Sequence, residues 1–188
     1  MNETISTILR RRSVRVYRPD PVGQTELAEM LEAGRYAPSA MNQQPWHFTA
    51  IRNPDLLRKL EENCKSAFLE SNVDALREAA KQEEFRVFYQ APLLVIISGD
   101  PGALAAQYDC TLAMENMMLA AASLGIGSCW THAVMMFHST EKGKAVFREL
   151  GVLFPEGHQP YAAAVFGWPA EPYAEAPPKN ADCVTIID

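Results

Sequence analysis

Two hydrophobic patterns alternate along this chain, one typical of amphipathic helices and the other of buried strands. In residues 25–35 apolar side chains recur three and four positions apart with glutamates between them, which predicts a helix with one buried face. Residues 93–97 form an uninterrupted apolar run between a proline and a glycine, which predicts a buried strand. Residues 103–124 are rich in Ala, Leu and Met, so we expect there the longest helix, buried over most of its circumference and ended by Gly125.

Turn and capping residues delimit the other elements. Pro19 and Pro21 prevent a helix in the segment that follows the first predicted helix. Asn53 followed by Pro54 predicts the start of a later helix. We predict helices up to about residue 11, from 53 with breaks to about 86, and from 139 to 151. We predict further strands at 46–51, 128–134, 161–166 and 184–187. About five strands and five or six helices make an α+β chain with a helix-covered sheet.

The C-terminal region has a different composition from the rest. Residues 169–178 are rich in proline and have no hydrophobic periodicity, so we expect them to cross the surface in extended form. A terminal strand at 184–187, placed after such a segment, is a candidate for pairing outside its own subunit. We therefore expect one domain over residues 1–188, with 169–188 as an extended C-terminal arm.

Composition excludes several classes of function. The chain of 188 residues has a net charge of -6 and 48% hydrophobic residues, which favours a globular protein and argues against a nucleic-acid binder. No apolar run reaches the ~20 residues of a membrane span, and the first residues do not resemble a signal peptide. The four cysteines form no CxxC pair, so we expect reduced thiols in a cytoplasmic protein; they are Cys64, Cys110, Cys129 and Cys183.

Most catalytic and ligand-binding signatures are also missing from the sequence. There is no Gly-x-Ser-x-Gly, HExxH or P-loop lysine motif, and no Gly-x-Gly-x-x-Gly opens a helix. The histidines share no metal-ligand spacing, so we expect no metal; they are His47, His132, His138 and His158.

A cluster of arginines stands out near the start of the chain. Five of them lie in residues 10–18, and without them the rest of the chain has a net charge of -11, from 12 Lys+Arg against 23 Asp+Glu. The forked guanidinium suits phosphate above all, which favours a binding site for a compact anion. Cations at a helix C-terminus also complement the helix dipole, and that alternative stays open on the cluster alone.

Three further segments carry polar groups or glycines suited to a ligand. Residues 37–46 form an uncharged loop dense in amides and hydroxyls, which can hydrogen-bond a flat heterocycle or simply connect a helix to a strand. Gly125 and Gly127 allow backbone to approach a ligand closely, or merely stop a helix before a strand. Lys179 adds one more cation beside the final strand.

Taken in order, these motifs resemble those of the FMN-dependent nitroreductase family. They are Arg-Arg-Ser-Val-Arg (11–15), Ala-Pro-Ser-x-x-Asn-x-Gln-Pro-Trp (37–46), Leu-Gly-Ile-Gly-Ser-Cys-Trp (124–130), Gly-Trp-Pro-Ala-Glu (167–171) and Pro-Pro-Lys (177–179). The resemblance implies a nitroreductase-like fold, with a mostly antiparallel five-stranded sheet flanked by helices. It also implies a homodimer that exchanges its C-terminal strands and holds two FMN molecules at the subunit interface. Residues 109–117 resemble the family's central dimer helix.

The resemblance also assigns cofactor-binding residues. Arg11, Arg12, Ser13 and Arg15 match the residues that hold the phosphate, ribityl chain and pyrimidine edge. The loop that reaches the flavin from the other subunit is matched by Pro38, Ser39 and Asn42. The segment along the isoalloxazine is matched by Trp130, Thr131 and His132. The late phosphate-binding cation is matched by Lys179. Lys179-Asn180 stands where the family often has Arg-Lys, so we expect a weaker C-terminal phosphate contact. His132 stands where relatives have Gly or Glu, and it either contacts substrate or shapes the pocket.

The activity implied is NAD(P)H-dependent reduction of nitroaromatics, quinones or related electron-poor acceptors by a ping-pong mechanism. The flavin carries the chemistry, so no side chain is named as a catalytic acid, base or nucleophile. Arg15 is the candidate cation that favours the reduced, anionic flavin. Two alternatives remain: another flavin reaction on this fold, such as dehalogenation, flavin fragmentation or azoline oxidation, and a flavin-binding protein without turnover. The first needs a substrate lid, for which residues 64–86 are the candidate segment.

Overall fold

A four-stranded antiparallel sheet forms the centre of the computed structural model, which describes residues 1–187. Its strands are β1 (Trp46–Ile51), β2 (Leu93–Gly99), β3 (Gly127–Trp130) and β4 (Gln159–Gly167). They lie in the order β1-β2-β4-β3, and every neighbouring pair is antiparallel. All seven residues of β2 are buried, as expected of a central strand covered on both faces. The α+β class and the antiparallel sheet are confirmed.

Within residues 1–187, seven α-helices and one short 3₁₀ helix surround the sheet. They are α1 (Glu3–Arg10), α2 (Gln24–Arg35), α3 (Pro54–Leu69), α4 (Asp74–Lys81), α5 (Ala106–Ser123), α6 (Ala133–His138) and α7 (Glu141–Glu149), with the 3₁₀ helix at Ala40–Asn42. Side-chain caps start three of them: Asn2 caps α1, Asn53 caps α3 and Thr140 caps α7. The segment predicted to be helical with breaks up to residue 86 therefore ends its last helix at Lys81.

The two faces of the sheet carry separate cores. On one face α2 and α5 pack against Val95, Ile97 and their neighbours, and on the other α3, α6 and α7 pack against Leu94 and Ile96. This division follows from the alternation of side chains along a strand. Helix α5 is the longest, as predicted, but only nine of its 18 residues are buried, and Tyr108 and Leu112 on its other face are 72% and 46% exposed.

The prediction of a strand at residues 128–134 is wrong for the second half of that segment. β3 ends at Trp130, and α6 begins at Ala133. The apolar run after Trp130 buries Ala133, Val134 and Phe137, which is helical spacing, so a continuous hydrophobic stretch was mistaken for strand. Helix α7 likewise begins at Glu141 after its cap residue Thr140, whereas Ser139 ends α6.

The C-terminal arm forms no strand in the described chain. Residues 183–187 have no regular structure, so this sheet has four strands instead of the predicted five. A strand needs a neighbour to donate and accept its hydrogen bonds, and residues 183–187 find none within residues 1–187. The exchange of this strand between subunits stays a prediction.

Candidate functional site

The arginine cluster begins where α1 ends. Arg11 is the C-cap residue of α1, and its extended backbone (ψ 135°) turns the chain away from the helix. Its Nε lies 3.5 Å from Oε1 of Glu115 on α5. Its Nη1 is buried and has no hydrogen-bond partner within residues 1–187. A guanidinium donor that is buried and unused in this way is costly unless an acceptor fills the space beside it.

The residues after Arg11 lie along the outer edge of β3. Val14 N–H donates to the carbonyl oxygen of Ser128 at 2.9 Å, and Ser13 and Ser128 form a parallel bridge. A Cβ added at Gly127 would lie 2.7 Å from a methyl carbon of Val14, so the close approach requires glycine here. Gly127, singled out in the sequence, therefore brings Ser13 against the sheet.

The start of the C-terminal arm packs on the same segment. Arg12 Nε donates to the carbonyl oxygen of Ala174 at 3.2 Å, and the Tyr173 hydroxyl donates to that of Ile126 at 3.4 Å. A small cavity of about 120 Å³ lies between the arm and residues 12–16. Ser13 and Arg15 line this cavity, so the structure brings together the predicted residues of the arginine cluster beside an opening.

Arg15 faces an aromatic and thiol environment that the sequence analysis did not identify. Its guanidinium carbon lies 5.9 Å from the centroid of the Tyr89 ring. Interaction with the Tyr89 hydroxyl, and then with Cys129, raises the pKa of Arg15 above its ordinary value. Burial raises the pKa of the Cys129 thiol, and burial also raises that of Tyr89. Arg15 therefore stays cationic, beside groups that stay neutral at physiological pH.

Tyr89 is held by an unusual backbone. Tyr89 and Gln90 have φ values of 55° and 56°, in the left-handed region that residues other than glycine rarely adopt. Such strain persists only where surrounding contacts enforce it, and it is common at functional sites. No sequence pattern indicated this position, because neither residue is a glycine or belongs to a recognisable turn motif.

The segment predicted to lie along the flavin follows β3 directly. Trp130 is the last residue of that strand and is half-buried. Thr131 is buried, and its N–H donates to the carbonyl oxygen of Ala163 at 2.9 Å. His132 is exposed just before α6, with its side chain at the surface.

The polar loop lies elsewhere on the single chain. Ser39 Oγ accepts from Gln44 N–H at 3.0 Å, and Asn42 Oδ1 accepts from the Gln44 side-chain amide at 2.9 Å. Asp109 on α5 anchors the loop by accepting from Ala40 N–H at 3.2 Å. Residues 38–44 do not line the cavity beside the arginines.

Lys179 is not brought to the cluster in the described chain. It is exposed in the second part of the arm, downstream of the contacts that Tyr173 and Ala174 make. The structure therefore unites Arg11, Arg12, Ser13 and Arg15, and leaves Pro38, Ser39, Asn42 and Lys179 apart from them.

Comparisons with known proteins identify the family of this chain. The model of the nitroreductase family matches residues 8–168, and the chain belongs to that family. A solved nitroreductase with bound FMN from Bacteroides fragilis is 40% identical, with a TM-score of 0.89 and 100% of each chain covered.

Two curated relatives match over most of the chain. A protein of Archaeoglobus fulgidus that bears the name of an NADH dehydrogenase/NAD(P)H nitroreductase is 30% identical over 91% of this chain and 88% of its own. An FMN reductase [NAD(P)H] of Bacillus subtilis is 27% identical over 94% of this chain and 70% of its own.

FMN fits the residues that the structure brings together. The buried, unpartnered Nη1 of Arg11 offers a donor to an anion such as the FMN phosphate. The cavity of about 120 Å³ is lined by Arg12, Ser13 and Arg15 and not by Arg11, so a hydroxyl and further cationic donors lie on the chain just after Arg11. Within residues 1–187 no cluster of His, Cys, Asp and Glu suits a metal ion, and no helix is long and apolar enough to cross a membrane.

Proposed function

We propose that this protein is an FMN-dependent oxidoreductase that uses NAD(P)H to reduce small electron-poor acceptors such as nitroaromatics and quinones. The observation that carries the proposal is the buried Nη1 of the half-buried Arg11, which has no partner within residues 1–187 and lies in an arginine cluster on an otherwise acidic protein. The names of the relatives, which include NAD(P)H nitroreductase and FMN reductase, support both the cofactor and the reductant.

Each residue of the cluster has a distinct task. Arg11 and Arg12 bind the phosphate, and the Ser13 hydroxyl and the β3 edge hold the cofactor against the sheet. FMN held there would supply the redox chemistry that links a nicotinamide to the acceptor. Arg15 stabilises negative charge at the pyrimidine end, and Tyr89 fixes the direction of its guanidinium. No acid, base or nucleophile from the chain is needed.

The complete site requires two copies of the chain. Helix α1 turns apolar side chains outward: Ile5, Ile8 and Leu9 are 47%, 48% and 56% exposed, whereas Thr7 is buried. An amphipathic helix with its apolar face uncovered favours a partner surface, which supports a homodimer. In that dimer Pro38, Ser39 and Asn42 of one subunit reach the cofactor of the other, and the C-terminal arm adds Lys179 and an exchanged strand.

Anaerobic titration of the purified protein tests the proposal. We expect bound FMN to lose its yellow absorbance on addition of NADPH or NADH, and to regain it on addition of a nitroaromatic or a quinone. If neither NADPH nor NADH bleached the bound flavin, the proposed reaction would be contradicted. The remaining function would be that of a flavin-binding protein without turnover, a store or a sensor. Bleaching followed by reoxidation only with a halogenated aromatic would point to reductive dehalogenation on the same fold.

The four cysteines are free, which supports a cytoplasmic location.

A further inference from the structure

A second cavity lies apart from the arginine cluster, and we propose that it binds an amphipathic organic anion, an aromatic body that carries one carboxylate or sulfonate. The cavity has a volume of about 880 Å³ and lies between α3 and the segment 85–92 that precedes β2. Its volume is in the range of small-molecule sites, about 300–1,000 Å³. None of Arg11, Arg12, Ser13 and Arg15 lines it, so it is not the proposed flavin site.

The floor of this cavity is apolar and aromatic. Leu57 on α3 and Phe88 and Ala91 on the facing segment are buried and line it. Phe85 closes one side and packs against Phe68 with ring centroids 6.0 Å apart. A floor of this kind accepts a ring system through burial of apolar area, and a bare inorganic anion leaves it uncovered.

The rim of the cavity is cationic although the protein as a whole is acidic. Three basic side chains at the rim donate to neutral oxygens: Arg52 Nη1 to the Gln24 side-chain oxygen at 3.0 Å, Lys65 Nζ to the Gln82 carbonyl at 2.8 Å, and Arg86 Nη1 to the Glu83 carbonyl at 2.6 Å. Within residues 1–187 none of the three has a carboxylate within 4.0 Å. Their charges are therefore available to an anionic ligand.

The two carboxylates at the cavity already have other partners. Glu62 pairs with Arg58 at 3.1 Å, which neutralises both. Glu61 Oε1 accepts from Phe88 N–H at 2.6 Å and so holds the facing segment against α3. Burial raises the pKa of Glu61, whereas the Phe88 N–H and the nearby Arg86 and Lys65 act to lower it. The arrangement selects a negatively charged head group beside a ring system.

Calorimetric titration of the protein as purified with 8-anilinonaphthalene-1-sulfonate tests this proposal. We expect one binding site per chain, and binding of the neutral 1-anilinonaphthalene that is weaker by about tenfold or more, since charge-assisted hydrogen bonds are lost. Equal affinity for the two compounds, or no heat of binding for the sulfonate, would overturn the proposal.

Variants locate the site. Lys65→Gln and Arg86→Gln should each weaken binding of the sulfonate by about tenfold, because each removes one rim cation. The matched control Arg148→Gln, at an exposed position of α7 away from the cavity, should leave it unchanged. Leu57→Trp should abolish binding by filling the floor, with circular dichroism to verify folding. Wild-type affinity in both rim variants would refute the assignment even if Leu57→Trp failed to fold.

Discussion

Arg11 combines a structural ion pair with a donor that is open to a ligand. It caps α1, its Nε pairs with Glu115, and its Nη1 keeps a buried donor without a partner. An ion pair alone does not use all five donors of a guanidinium. The unused donor is what makes this arginine the centre of the proposed phosphate site, ahead of the helix-dipole explanation that the sequence left open.

Replacement of both Arg11 and Ser13 by alanine should release FMN. Each charge-assisted hydrogen bond to phosphate contributes ~1.5–3 kcal/mol, so the double variant should purify largely colourless. Flavin content per chain, measured by absorbance after desalting, gives the result. Arg35→Ala is the matched control, because Arg35 is an exposed helical arginine paired with Glu32. Full flavin retention in the double variant would mean that the phosphate lies elsewhere.

His132 is expected to influence the choice of acceptor without being essential. It is exposed just before α6, next to the buried Thr131, where it can contact an acceptor or form a pocket wall. His132→Gly should change the acceptor KM or preference and leave reduction of bound FMN by NAD(P)H intact. Stopped-flow measurement of the two half-reactions separates these effects. Loss of the reductive half-reaction with flavin still bound would make the histidine catalytic.

Residue types and spacing predicted the arginine cluster but not its surroundings. Arg11–Arg15 was identifiable because five arginines on an acidic chain are a local signal. Tyr89, Glu115 and Tyr173 were not, because their roles depend on contacts with residues far away in sequence. Glu61 was missed for the same reason, since its partner Phe88 lies beyond another helix.

Among the helices, α6 and α7 show how tightly two elements can approach. A Cβ added at Gly143 would lie 1.8 Å from the carbonyl oxygen of Phe137, well inside contact distance. Gly143→Ala should therefore destabilise the protein by about 1–3 kcal/mol or more, the usual cost of overpacking a core. Urea unfolding measures this difference, with the neighbouring exposed position Lys142→Ala as control. A variant as stable as wild type would show that the two helices can separate at this point.

The same pair of helices should make stability dependent on pH. The His138 ring packs against Phe147 and Phe154, with centroids 5.1 Å and 5.4 Å away, and burial lowers its pKa. The unfolded chain then binds a proton that the folded chain does not, so the free energy of unfolding should fall as pH drops below about 6.5. Unfolding midpoints across pH 5–8 should show a shallower fall in His138→Leu than in wild type. Identical slopes would exclude this histidine as a cause.

Elements with one clear hydrophobic period were predicted well, and those without one were not. Helix α2 was placed to within a residue at its start, and β2 was identified from its apolar run. The sequence of the short helix α6 predicts a strand, because an unbroken apolar run has no hydrophobic period that distinguishes a helix from a strand. The absence of the fifth strand has a different cause: residues 184–187 find no pairing partner within residues 1–187, and the sequence of a segment does not specify its partner.

For the whole molecule, the outward apolar face of α1 leads to a prediction about assembly. We expect a dimer at micromolar concentration, because Ile5, Ile8 and Leu9 need a covering surface. Sedimentation velocity measures the mass directly. Ile8→Glu should shift the distribution toward monomer and lower flavin content together, whereas Val73→Glu, on an exposed apolar residue elsewhere, should change neither. A folded, flavin-loaded monomer would contradict the shared site.

The contact between Ser13–Val14 and β3 also affects how strongly the protein should resist aggregation during storage. An uncovered sheet edge presents free N–H and C=O groups to other chains and is a template for aggregation. Here the segment that covers the edge is also the one expected to hold FMN, through Ser13 and its neighbours. Loss of the flavin would therefore loosen the cover of β3, so apoprotein should precipitate sooner than holoprotein, and added FMN should lengthen its shelf life.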